Sequence, residues 1–330
     1  MQIWNKFWQQ LKKFKPRLGL AAAVVLAVMW WPATSSSSLA ASPGSDGLTQ
    51  LSRRLPLPNQ LTAIDWSQIP SLAGLELSSL SAVVVELPSG RLLGALEPDL
   101  ALPIASLTKL MTSVIILEAK LPLEARVRLE AADNSSLVSK YAGNGESISS
   151  LKAVDGELVR VRDLIAASLI SSANNAAAAL ARSTGLTGDS FVKRMNERAR
   201  VLGMTEAEFV DPTGLEPANT ATAGEVALLA RYTWRNRLLR QLSGSPSFSF
   251  TSRDGREYQI RNTNPLFRRS LNFKLLASKT GYLEEAGYNL AAEVKTDSGQ
   301  RYLIVLLSAP SLEDRNTDVE ALVGWLERRT

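Results

Sequence analysis

The chain of 330 residues contains no histidine and no cysteine. Without histidine there is no Ser-His-Asp triad. Without cysteine there is no thiol nucleophile, disulfide or lipid-modified cysteine anchor, and nearly every zinc site is lost as well. The missing cysteines do not identify a redox compartment. Any nucleophile in this chain must be activated by another base.

Three short strings supply one. Ser106-Leu107-Thr108-Lys109, Ser172-Ala173-Asn174 and Lys279-Thr280-Gly281 follow one another along the chain. A serine hydroxyl attacks a carbonyl carbon at neutral pH only if a neighbouring group accepts its proton. Lysine can do so when burial and a second positive charge disfavour its ammonium form, and Lys109 and Lys279 can exert that pressure on each other. Residues three apart share a helix face, and Leu107, Leu110, Met111, Val114 and Ile115 continue at helical spacing as a buried stripe. This spacing predicts Ser106 in a first helical turn, where unpaired N–H groups favour developing negative charge. Ser-x-x-Lys also occurs from Ser149 to Lys152 and from Ser190 to Lys193, and both copies read as solvated surface. A second Ser-x-Asn, Ser270 to Asn272, lies beside the third string. The order and separation of the three strings carry the specificity.

The strings and their flanks resemble those of low-molecular-weight penicillin-binding proteins of the serine D-alanyl-D-alanine carboxypeptidase and endopeptidase family. The resemblance rests on three segments, Leu102 to Thr112, Phe209-Val210-Asp211-Pro212-Thr213-Gly214-Leu215, and Ser278 to Tyr282 followed by Ala286-Gly287. It covers roughly residues 75 to 330. It implies that Ser106 attacks a D-alanyl carbonyl and is acylated, with Lys109 as base. By the same resemblance Ser172 relays a proton to the leaving amine, and Asn174 holds Lys109 and the substrate amide. Lys279 and Thr280 receive the substrate carboxylate or backbone, and Gly281 keeps a strand edge bare for an extended peptide. The resemblance further implies that the N–H groups of Ser106 and Tyr282 form the oxyanion hole and that Arg315 lies near the substrate's terminal carboxylate. The second string is often followed by Asp in this family, whereas this chain has Asn175. No metal and no organic cofactor is called for. The implied partners are peptidoglycan peptides, with β-lactam antibiotics as covalent inhibitors.

Charge and hydropathy patterning address location. Residues 1–17 carry five basic residues and no acidic one, and Leu18 to Trp31 is an uncharged apolar run of fourteen. That run is short for a membrane span of about 20 residues. Residues 1–40 therefore read as an export signal that is cleaved near Ser38-Leu39-Ala40, or as a short uncleaved membrane anchor with an apolar stripe at Trp4, Phe7, Trp8, Leu11 and Phe14. The expected location is the periplasm or cell envelope. The net charge of +5 is that of the leader, so residues 46–330 are formally neutral and nucleic acid is not an expected partner. Residues 41–74 read as a linker, rich in Ser, Pro, Gly and Asn up to residue 60, and residues 75–330 as the catalytic domain.

Ser81 to Glu86 with Arg91 to Leu96, and Tyr288 to Lys295 with Tyr302 to Leu307, read as hairpins. Helices are expected at 162–170, 175–182, 189–202, 222–234 and about 317–328. Strands from both ends of the domain joined in one antiparallel sheet, flanked by helices and carrying a helical subdomain, make an α+β fold. The resemblance implies the same serine β-lactamase and penicillin-binding-protein architecture. Two other functions remain open. A serine β-lactamase is suggested by Glu216-Pro217-Ala218-Asn219, which resembles a deacylation loop but is one residue short. A non-catalytic wall-binding relative is the other, against which the intact Ser106, Lys109, Ser172, Asn174 and Lys279 argue.

Overall fold

The computed structural model describes residues 68–133 and 149–329. The leader, the possible anchor and most of the linker lie outside the described residues. Among those described, no helix is long and apolar enough to cross a membrane.

Five strands form the main sheet: β1 Ser81–Leu87, β2 Leu92–Leu96, β3 Phe273–Leu283, β4 Gly287–Thr296 and β5 Arg301–Ala309. They are antiparallel throughout, in the order β2-β1-β5-β4-β3. The runs Ala82-Val83-Val84-Val85 and Leu303-Ile304-Val305-Leu306 are unbroken in hydrophobicity because both faces of the sheet are covered. Successive side chains point to opposite faces. Val83, Val85, Leu303 and Val305 join the larger core under the helical part. Val84, Ile304 and Leu306 join a smaller core with Val319, Leu322 and Val323 of the last helix. The register pairs Val83 with Val305 and Ala291 with Lys279.

Between β2 and β3 the chain runs through α1 Thr108–Glu118, α2 Val161–Ile170, α3 Asn174–Ser183, α4 Gly188–Val201, α5 Ala223–Thr233 and α6 Arg237–Ser243, and α7 Leu312–Glu327 closes the fold. Thr222 caps α5 in a reciprocal capping box with Glu225, as its spacing predicts. Three expectations need correction. Helix α1 is not amphipathic, since Thr108 to Ile116 are all buried, including Lys109, Thr112 and Ser113. Ser106 lies in a 3₁₀ turn, Ala105–Leu107, just before α1 and not in the helix itself. Helix α7 begins at Leu312, capped by the Ser311 hydroxyl, about a turn earlier than expected. A hairpin of Ser247–Thr251 with Glu257–Arg261 was not anticipated.

Candidate active site

Helix α1 presents Lys109 one helical step from the turn that carries Ser106. The Lys109 Nζ lies 2.9 Å from Ser106 Oγ, 2.7 Å from Asn174 Oδ1 and 2.5 Å from the Thr213 carbonyl oxygen. Burial pulls Lys109 down to about 7, against the opposing pull of the Asp211 charge. A neutral amine has two N–H donors and one lone pair. With Asn174 and Thr213 accepting the two donors, the lone pair is left for the Ser106 hydroxyl proton.

Lys279 reaches the site from β3, which is an edge strand of the sheet. Its Nζ donates to Ser172 Oγ at 2.9 Å and to the Thr280 carbonyl at 2.8 Å. Burial holds Lys279 well below the usual lysine range, and the charges of Lys109 and Arg315 add to the effect. The pressure expected from the sequence is therefore present on Lys279, whereas Lys109 is lowered by burial alone. Asn174 links Lys109 to the segment before the second string, its Oδ1 accepting from Lys109 and its Nδ2 donating to the Ser149 carbonyl at 3.0 Å. Ser172 has φ 60° and Ala105 has φ 47°. Left-handed backbone at non-glycine residues costs on the order of 1–3 kcal/mol each and persists where the surroundings enforce it.

Other sequence-predicted residues fall as follows. Thr280 Oγ1 shares a hydrogen bond of 2.6 Å with Thr263 Oγ1. Tyr282 is 47% exposed and its ring lies 4.3 Å from that of Tyr288, which makes an aromatic pair on the sheet beside the third string. Gly281 is needed for a reason other than a bare edge: a Cβ there would lie 2.8 Å from the Ile104 carbonyl oxygen and 3.2 Å from Ser106 N. The glycine lets β3 close onto the nucleophile turn. Gly281→Ala is expected to push that turn by a few tenths of an ångström and slow acylation by roughly 10- to 100-fold. Measuring the rate with a chromogenic penicillin beside a thermal melt separates this from unfolding.

Arg315 is buried in the first turn of α7. Its Nη2 donates to Asn316 Oδ1 at 2.9 Å, while its Nε has no hydrogen-bond partner. Burial lowers it to about 10. Ser149, read from sequence as solvated, is half-buried, and its hydroxyl donates to the Ser171 carbonyl next to the second string. Ser190 and Lys193 are exposed, as expected. Asn175, at the position where Asp is frequent, holds both the N–H and the carbonyl of Leu151 at 2.9 Å. It thus pins the segment at Leu151 to the start of α3.

Three contributors went unassigned in the sequence. Asp211 accepts from the backbone N–H groups of Thr213, Gly214 and Glu216, from the Thr213 hydroxyl and from Asn219 Nδ2. That network aims the Thr213 carbonyl at Lys109. Asn289 donates to the Pro103 carbonyl at 2.9 Å and so ties the nucleophile segment to β4. Asp211 and Thr213 lie in the segment that resembles the family's mid-chain signature, whereas Asn289 has no signal of its own. Among the described residues no cluster of acidic side chains suits a metal ion.

The sequence pattern of the D-alanyl-D-alanine carboxypeptidase family matches residues 67–311. A D-alanyl-D-alanine endopeptidase of Pseudomonas aeruginosa is 34% identical over 272 residues, spanning 81% of this chain and 84% of that protein. The D-alanyl-D-alanine endopeptidase of Escherichia coli is 31% identical over 76% of this chain and 78% of its own length. The crystal structure of the Streptomyces K15 DD-transpeptidase superposes with a TM-score of 0.68 at 23% identity, over 76% of this chain and 97% of that one, which shows a shared fold. With three quarters of its length inside one family pattern and a relative above 30% identity along most of both sequences, this chain belongs to the D-alanyl-D-alanine carboxypeptidase family.

Proposed function

We propose that this protein is a serine D-alanyl-D-alanine peptidase that acts on peptidoglycan stem peptides through an acyl-enzyme on Ser106, in the cell envelope. The observation that carries the reading is the pair of hydroxyl–lysine contacts, Ser106 with Lys109 and Ser172 with Lys279, each at 2.9 Å. Lys109 as a neutral amine takes the Ser106 proton while Oγ bonds to the penultimate D-alanyl carbonyl carbon. The oxyanion is received by the N–H groups of Ser106 and Tyr282, and losing one such donor typically costs about 100- to 1,000-fold. Ser172 gives its proton to the departing amine and recovers the one that Lys109 took from Ser106, which leaves Lys109 a neutral amine again. Water, deprotonated by Lys109, then attacks the ester and frees Ser106.

Thr280 and Arg315 are the groups for the substrate's terminal carboxylate. Arg315 brings a buried guanidinium with an unpartnered Nε, and a carboxylate satisfies such a group well. Within this activity, cleavage of D-alanyl cross-links is the favoured reaction. The relatives named endopeptidase are 31–34% identical over 68–84% of their own lengths, and those named carboxypeptidase 26–31% identical over 60–73%. Residues 1–40 serve as the export signal or anchor, residues 41–74 as the linker and residues 75–330 as the catalytic domain.

The test is incubation with purified cross-linked and uncross-linked muropeptides, with the products weighed by mass spectrometry. Dimers falling to monomers establish the endopeptidase. Loss of a single alanine from pentapeptides alone establishes a carboxypeptidase, and no change in either overturns the peptidase reading in favour of a β-lactamase or a wall-binding protein.

The rate of acylation should also follow the ionisation of Lys109. Its working form is the neutral amine, so the rate is expected to fall about tenfold per pH unit below about 7 and to level off above it. Stopped-flow acylation across pH 5 to 9 checks the sign; a rate that rose with acidity would remove Lys109 as base.

A further inference from the structure

A surface cavity of about 780 Å³ lies between the β1–β2 turn, the end of α5, the start of α6 and the sheet. None of its lining residues belongs to the serine–lysine site. Arg231, Arg235, Arg237, Arg240 and Arg301 line it with a single carboxylate, Glu293. Residues 46–330 are formally neutral, so this is a local concentration of charge.

Glu293 is already committed. It accepts from Arg240 Nε and Nη2, both at 2.7 Å, and pairs with Arg301 Nε at 3.0 Å. Arg231 meets only carbonyl oxygens, those of Pro88 and Ser89, at 3.2 and 3.4 Å. Gly90 makes room for it, because a Cβ there would lie 2.3 Å from Arg231 Nη1. Arg235 and Arg237 are exposed and form no ion pair among the described residues. Partial burial, with Arg235 adding to it, lowers the Arg231 guanidinium from its usual value, as expected when like charges gather without a counter-ion. Trp234 also lines the cavity. It is 5% exposed, and its Nε1 has no hydrogen-bond partner.

We propose that this cavity binds a phosphate-bearing anion, held chiefly by Arg231, Arg235 and Arg237. Three guanidinium groups without a carboxylate exceed what one carboxylate neutralises. A phosphate spreads up to two charges over tetrahedrally placed oxygens and accepts arginine forks from several sides. Leu276 and Leu303 offer an apolar wall to the organic part of a phosphate ester. Such chemistry belongs equally to a soluble phosphate ester and to a phospholipid headgroup, as basic pockets on membrane-associated proteins illustrate.

Titration calorimetry on the full chain distinguishes the sources, with inorganic phosphate, glycerol 3-phosphate and dihexanoyl-phosphatidylglycerol below its micelle concentration as probes. The wild-type protein is expected to bind at least one probe. The double variant Arg235→Ala/Arg237→Ala should bind it about tenfold or more weakly, with penicillin acylation unchanged. The basic residues of 1–17 are present in both proteins and so cancel in the comparison. Glycerol 3-phosphate binding as tightly as the short-chain lipid supports a soluble ester, and a lipid bound at least tenfold more tightly supports a headgroup. Failure of all three probes to bind at millimolar concentration, or equal binding by the wild type and the double variant, overturns the proposal.

Discussion

Ser106→Ala is expected to abolish acylation by penicillin, a loss on the order of a million-fold if it matches other serine nucleophiles. The fold should survive. Ser106 is half-buried in its turn, and without its hydroxyl Lys109 still has Asn174 Oδ1 and the Thr213 carbonyl as partners. A stability change within about 1 kcal/mol is therefore expected. Gel detection of a fluorescent penicillin, beside a thermal melt of the same sample, reads both quantities. A variant that labels normally would move the nucleophile elsewhere. Lys109→Met makes the complementary case, since it keeps the serine and removes the base, a change expected to cost about 100- to 10,000-fold.

The second large effect concerns Asp211, a positioning residue that touches neither Ser106 nor the substrate. Asp211→Ala deprives three backbone N–H groups, the Thr213 hydroxyl and the Asn219 amide of their shared acceptor. Unsatisfied buried donors cost about 1–3 kcal/mol each, so a total loss of about 3 kcal/mol or more is expected in urea unfolding. A purely structural role would end there. A positioning role predicts more, because the Asp211 charge raises the Lys109 pKa and its hydrogen bonds hold the Thr213 carbonyl on Nζ. Asp211→Asn keeps the shape and part of the bonding while removing the charge. In that variant the break in the acylation–pH profile should shift below about 7, because losing a nearby negative charge favours the neutral amine. An unmoved break would leave Asp211 with the scaffold role alone.

Sequence reading reached the chemistry more surely than the geometry that enables it. The three strings were legible because acyl transfer by a serine without histidine restricts residue types at fixed spacings. The two hairpins of the main sheet and the capping box on α5 were legible from local pattern. The Thr213 carbonyl was not, because a backbone acceptor has no side-chain signature. Nor was the burial of Lys109, since it depends on α1 being enclosed on all sides and the apolar stripe accounts for only one of them. The start of α7 was marked by Ser311 three residues before Asp314, a cap and first-turn acid that went unused. The missed hairpin was marked by Asp254-Gly255 between alternating segments. Gly281 was singled out for a bare strand edge, and only the packed structure shows how closely Ile104 and Ser106 approach it.

The order β2-β1-β5-β4-β3 places the last strand of the chain at the centre of the sheet, bonded to the first. Lys279 stands on β3, which reaches the rest of the sheet through β4 and then β5. During synthesis, then, β1 and β2 must wait without their main partner until Arg301–Ala309 has been made. At about 5–20 residues per second the interval between Lys109 and Ala309 lasts roughly 10–40 s. A chain cut short before β5 retains Ser106 and Lys109 in sequence yet cannot close the sheet on which the second lysine rides. Truncated products should therefore be unreactive toward penicillin, so that reactivity in a cell reports completed molecules only.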